Sequence, residues 1–146
     1  MSDNSVNIIM IEDDEGHARL IEKNIRRAGI ANAIRHFIDG TSALDFLFNH
    51  PEGPALNGPA LILLDLNLPD MSGIDILIKI KADTRLKRTP VVVLTTTDDK
   101  VEIQRCYDNG ANVYITKPVN YESFAKAIQQ LGLFLSVIQV PEVDPQ

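Results

Sequence analysis

At 146 residues, 45% of them hydrophobic, the chain has the size of one domain that buries about two-thirds of its unfolded surface without disulfide or metal staples. A formal net charge of −6 argues against nonspecific binding to nucleic acid or anionic membranes. Cys106 stands alone, so no internal disulfide forms; with a polar, acidic start and no apolar run near the ~18 residues of a membrane span, the expected location is the cytoplasm.

The first apolar run, Val6 to Ile11, predicts a strand that ends in four acids, Glu12 to Glu15. A helix follows, with Ala18, Ile21, Ile25 and Ala28 on one stripe and Gly29 as its stop. Ala33 to Phe37 reads as the second strand, interrupted by Arg35 and His36. Gly40-Thr41-Ser42 offers a cap for a second helix carrying Ala43, Leu44, Leu47 and Phe48. The prolines and glycines between His50 and Pro59 make a long loop.

Ala60 to Leu64 is an apolar run without a polar break, the pattern of a strand buried on both faces, and it stops at Asp65 before turning on Pro69 and Gly73. The third helix carries Ile74, Leu77 and Ile80 and fades into the basic turn Arg85 to Pro90. Val91 to Leu94 is the fourth strand, ending at Thr95-Thr96-Thr97. Asp98-Asp99 opens a polar fourth helix, lightly anchored by Val101, Ile103, Cys106 and Tyr107 and closed by Gly110. Val113 to Thr116 is the fifth strand, before Lys117-Pro118. The last helix, from near Asn120, places Tyr121, Phe124, Ile128, Leu131, Leu135 and Ile138 on one stripe, with Leu133, Phe134 and Val137 as surplus apolar surface.

Strands alternating with helices imply an α/β fold with a parallel sheet, right-handed crossovers and helices on both faces. We expect a single domain over 1–146, with a core of about 6–130, a last helix reaching about 139 and a frayed tail at 140–146. Ligands of such sheets bind at the carboxyl ends of the strands. Glu12 and Asp13, Asp65, Thr95 and Lys117 all fall at that edge. Clustered carboxylates repel unless a cation intervenes, and oxygen ligands suit Mg²⁺. With Mg²⁺, Asp65 could attack a phosphoryl group in line, with Lys117 and the Thr95 hydroxyl meeting its equatorial oxygens. The three histidines show no ligand spacing, and Cys106 reads as a small buried apolar group.

Glu12-Asp13 after the first strand, Asp65-x-x-x-Pro69-x-x-x-Gly73 after the third, Thr95 after the fourth and Lys117-Pro118 after the fifth together resemble the receiver domain of two-component response regulators, over about Val6 to Gln130. The resemblance implies a doubly wound, flavodoxin-like (βα)5 fold with strand order 2-1-3-4-5. It implies that Asp65 accepts phosphate from a phosphohistidine on a sensor histidine kinase. Glu12, Asp13, Asp65 and the backbone carbonyl of Asn67 would hold Mg²⁺, and Lys117 would bridge to the phosphate. Thr95 and Tyr114 would form the switch, Asn67 and Thr97 would tune phosphoryl lifetime, and the Lys117-Pro118 peptide would be cis. Two positions depart from the family pattern: Glu12, where many receivers carry Asp, and Thr96, where a small residue is usual.

A narrower resemblance, carried by the His50–Pro59 loop, the run Leu44-Asp45-Phe46-Leu47-Phe48 and the apolar last helix, is to stand-alone regulators of phytochrome-type (bacteriophytochrome) kinases. The surplus apolar surface leads us to expect a homodimer through the fourth helix, fifth strand and last helix, with Phe124, Leu131, Phe134, Leu135 and Ile138 at the interface. The expected role is a switch rather than an enzyme. A haloacid-dehalogenase-like phosphatase would need an acid where Asn67 stands, and a non-phosphorylated interaction module would have no need of the full set of acids, Thr and Lys.

Overall fold

The computed structural model describes residues 6–54 and 60–131. Among the described residues five strands, β1 (Asn7–Ile11), β2 (Ile34–Phe37), β3 (Ala60–Asp65), β4 (Val91–Thr95) and β5 (Val113–Thr116), alternate with five helices. These are α1 (Glu15–Arg27), α2 (Gly40–Asn49), α3 (Gly73–Ala82), α4 (Lys100–Asp108) and α5 (Tyr121–Leu131). All strands are parallel, in the order β2-β1-β3-β4-β5. Both the α/β class and the strand order agree with the sequence reading.

The period-two alternation of strand side chains divides the core in two. Ile8 and Met10, Leu61 and Leu63, Val92 and Leu94 meet α1 and α5 on one face. Ile9 and Ile11, Ile62 and Leu64, Val91 and Val93 meet α2, α3 and α4 on the other. Every residue of β3 and β4 is buried, as expected for central strands covered by helices on both sides. Strand β2 lies at the sheet edge with Arg35 and His36 exposed, charge that discourages further strand pairing. It begins one residue later than read from the sequence, although the Ala33 carbonyl still accepts from the Ile8 N–H.

Asp14 caps α1, Asp99 caps α4, and Asn120 accepts from the Ser123 N–H at the start of α5. The cap of α2 differs from the expected Gly40-Thr41-Ser42: Asp39 accepts from the Ser42 N–H, and Gly40 already opens the helix. As expected, α4 is lightly anchored; Cys106 is its one buried residue, while Val101 and Tyr107 are exposed.

The interface expected on the last helix needs a correction. Phe124 is only 1% exposed and packs in the α1/α5 core, so it docks α5 on the sheet and is closed to a second chain. The side chain of Leu131, together with Phe134, Leu135, Ile138 and the rest of the extension and tail, lies outside the described residues, as does 55–59 of the long loop.

The turn after β3 depends on Gly73. Its N–H donates to the Leu66 carbonyl at 2.8 Å, folding the start of α3 against the strand it follows. A Cβ there would stand 2.4 Å from the Asp65 carbonyl oxygen and 2.7 Å from Leu66 Cα, both backbone atoms with little room to yield. We therefore expect Gly73→Ala to destabilise the fold by about 1–3 kcal/mol, the usual range for overpacking, read as a lower urea midpoint.

Candidate functional site

At the carboxyl edge of the sheet, β1 delivers Glu12 directly after its last residue, β3 ends on Asp65, β4 ends on Thr95, and β5 is followed by Lys117. Glu12, Asp65 and Thr95 are buried, whereas Asp13 is exposed. The Lys117 ammonium lies 2.6 Å from Glu12 Oε1 and 3.3 Å from Asp65 Oδ2. Its backbone is held by a 2.7 Å bond from the Lys117 N–H to the Thr95 carbonyl, and the Lys117-Pro118 peptide is cis, as the resemblance implied.

Glu12, Asp13 and Asp65 each bring a carboxylate oxygen to within 4.8 Å of the others. Burial first, and then the charge of Glu12, push the Asp65 carboxyl from its ordinary 3.8 up to about 6, against the opposing pull of Lys117. Glu12 Oε1 is buried and touches the ammonium without the alignment of a hydrogen bond, so it keeps acceptor capacity. Converging hard oxygen ligands with excess negative charge fit a divalent cation.

The Asn67 N–H donates to Asp65 Oδ1 at 3.2 Å, and the Asn67 residue is exposed beside the acid. Thr95 Oγ1 accepts from the Thr97 N–H at 3.2 Å; among the described residues no bond engages the Thr95 hydroxyl proton. Thr97 turns its own hydroxyl to the Asp99 N–H at 3.1 Å, at the cap of α4. Half-buried Tyr114 donates its hydroxyl to the Thr97 carbonyl, tying β5 to the loop after β4. Thr96 is exposed in that loop.

Three residues at this edge were not recognised from the sequence. His17 Nδ1 lies 3.1 Å from the Lys117 ammonium, and His36 Nε2 lies 2.6 Å from the Glu12 carbonyl oxygen. Spacing between histidines carries no sign of these contacts, because the partners, the Lys117 ammonium and the Glu12 backbone carbonyl, lie 100 and 24 positions away in the chain. Position within α1 was the available clue, because His17 stands three residues after the Asp14 cap and faces the same loop end. The third is Asp70, whose carboxylate accepts from the Gly40 and Thr41 N–H groups, each at 2.8 Å, and from the Thr41 hydroxyl. That hydroxyl and those amides lower its pKa to about 2 and clasp the loop after β3 to the start of α2.

Residues 8–129 match the family described as the response regulator receiver domain. The crystal structure of a response regulator receiver domain from Rhodospirillum rubrum is 66% identical, covering 96% of this chain and 100% of that one with a TM-score of 0.76. Response regulator Rcp1 of Synechocystis sp. is 35% identical over 135 residues, 92% of each chain. Its Mn²⁺-bound structure superposes with a TM-score of 0.70 at 33% identity, covering 93% of this chain and 99% of that one. The bacteriophytochrome response regulator RtBRR is 32% identical, covering 95% of this chain and 85% of that one with a TM-score of 0.79.

The raised Asp65 carboxyl has a consequence for folding. Below 3.8 both folded and unfolded states hold the proton; as pH rises through about 6 the unfolded state has already released it, and the folded state comes to bear the full cost of the buried charge. Metal-free protein is therefore expected to lose stability across this window. Urea denaturation at a series of pH values reads the loss, which Asp65→Asn should abolish and a saturating divalent cation should suppress.

Proposed function

The chain belongs to the response regulator receiver domain family, and from that premise we propose that it is a phosphorylation-controlled signalling switch with Asp65 as its phosphoacceptor. The observation that carries the assignment is the Lys117 ammonium, within ion-pair reach of both Glu12 and Asp65 although the three residues are far apart in the chain.

The donor is the phosphohistidine of a sensor histidine kinase. An Asp65 carboxylate oxygen attacks phosphorus in line with the leaving nitrogen; the new P–O bond makes an acyl phosphate as the P–N bond breaks, and the departing imidazole keeps the electron pair and takes a proton from solvent. Lys117 presents its ammonium to the transferred group, and Thr95 offers its uncommitted hydroxyl proton to a phosphoryl oxygen. Glu12, Asp13, Asp65 and the backbone carbonyl of Asn67 are the ligands we assign to Mg²⁺, which when bound neutralises charge on the phosphoryl oxygens. We assign the tuning of the acyl-phosphate lifetime to Asn67 and Thr97, a reading supported by the Asn67 N–H bond to Asp65 and by the position of Thr97 in the loop after β4.

Thr95 and Tyr114 form the switch in this reading. Movement of the Thr95 hydroxyl toward phosphate would disturb the Thr97 N–H it now accepts from, and Thr97 is also the partner of the Tyr114 hydroxyl. The output is protein contact or phosphorelay rather than turnover of a small substrate. We take the cognate kinase to be of the phytochrome type, supported by the likeness to RtBRR, and the location to be cytoplasmic, in keeping with the unpaired Cys106. Among the described residues no helix is long and apolar enough to cross a membrane. A homodimer through α4, β5 and α5 is supported by the exposed Val101 and Tyr107 on α4.

Incubation with acetyl phosphate and Mg²⁺, followed by intact mass, should add one phosphoryl group to the wild type and none to Asp65→Asn. No adduct on the wild type from acetyl phosphate or from a cognate kinase would overturn the assignment. For the dimer, light scattering before and after phosphorylation is the measurement; a monomer in both states rules it out.

A further inference from the structure

Among the described residues the Lys117 ammonium has three electronegative neighbours: Glu12 Oε1 at 2.6 Å and Asp65 Oδ2 at 3.3 Å at ion-pair distance, and His17 Nδ1 at 3.1 Å, the one with hydrogen-bond geometry. Two are the carboxylates discussed above. The third belongs to a residue outside the acids, hydroxyl and ammonium that make up the proposed phosphoacceptor site. His17 Nδ1 also lies 3.9 Å from Glu12 Oε2, and the two distances decide its role. A protonated Nδ1 would bring its hydrogen against the ammonium while standing too far from Glu12 to donate. A bare Nδ1 accepts from the ammonium within hydrogen-bond range.

We infer that His17 is a positioning residue for Lys117: its neutral imidazole accepts one ammonium proton at Nδ1 and sets the direction in which the remaining charge faces Asp65. Two features of the fold support the assignment. Asp14 fixes the first turn of α1 by accepting from the His17 N–H at 2.9 Å, which sets the backbone from which the ring reaches Lys117. The ring also shares a small crevice with Leu20, Ile21, Pro118 and Val119, so it is packed beside the loop that carries Lys117.

The chemistry of the acceptor matters. The Glu12 contact is the shortest, and by itself it would draw the ammonium toward β1 and away from the incoming phosphoryl group. A third carboxylate would anchor the ammonium but neutralise it further. A neutral nitrogen restrains its rotation and leaves its charge available to phosphoryl oxygens.

The inference rests on Lys117 being the ammonium that meets the phosphoryl group, and the test separates the two claims. His17→Leu removes the acceptor, whereas His17→Asn keeps an oxygen near the Nδ1 position; circular dichroism checks that both fold. Phosphorylation by acetyl phosphate with Mg²⁺ should slow by about tenfold in His17→Leu, the low end of what one charge-assisted hydrogen bond contributes, and recover in His17→Asn. In metal-free protein the Lys117 side-chain NH₃⁺ resonance, protected from solvent exchange by its acceptors, should broaden or vanish in His17→Leu and persist in His17→Asn. Wild-type behaviour of His17→Leu in both measurements overturns the inference, as does an equal defect in both variants, which would make the ring a matter of shape. A wild type that takes up no phosphoryl group defeats the functional reading instead, and the resonance still decides whether His17 holds Lys117.

Discussion

Two buried carboxylates, Glu12 and Asp65, share one ammonium, and that excess of negative charge is the constraint on which the rest of the edge depends. Unbalanced buried charge costs folding free energy, so it persists only where the surroundings leave it no room to relax. Strand register supplies the confinement. Ile11 pairs with Leu64, so the next residues along, Glu12 and Asp65, emerge side by side; Thr95 pairs with Thr116, so Lys117 leaves the sheet at the same edge and its long side chain reaches past β4 to both acids. A slip of one residue would turn each of these side chains to the other face of the sheet.

Rigidity is distributed unevenly around the acid. The wholly buried β3 and β4 hold Asp65 and Thr95 from below, Gly73 brings α3 against the backbone of Asp65, and Asp70 locks the following loop to α2. On the other side, α4 contributes one buried residue, and the loop leading to it is tied through Thr95, Thr97 and Tyr114 by single hydrogen bonds. Elements with few buried contacts are the ones that open or shift at low cost. A perturbation at Asp65 is thus better transmitted toward α4 and β5 than toward α2 and α3.

Much of this was legible in the chain because the signals are local. Apolar runs without polar breaks marked β3 and β4 as buried on both faces, the Ala18, Ile21, Ile25 stripe marked α1, and turn residues marked each boundary. Glu12, Asp65, Thr95 and Lys117 stood out because each directly follows or ends a strand, and a parallel sheet must bring such positions to one edge. Where local chemistry was ambiguous the reading slipped: Asp39 rather than Gly40-Thr41-Ser42 caps α2, and Phe124 fills the core instead of facing a second chain. One apolar stripe looks the same whether it meets the sheet or a partner.

The sequence by itself determined the order of elements, the parallel architecture and the residue types at the strand ends, since these follow from periodicity, turn chemistry and the direction of each strand. Tertiary structure alone decided how the charges meet: that Lys117 leans closer to Glu12 than to Asp65, that burial raises the Asp65 carboxyl, and that His17, His36 and Asp70 join the edge. The reason is physical. Dielectric, distance and hydrogen-bond geometry are set by groups far apart in the chain, and no pattern of neighbouring residues encodes them.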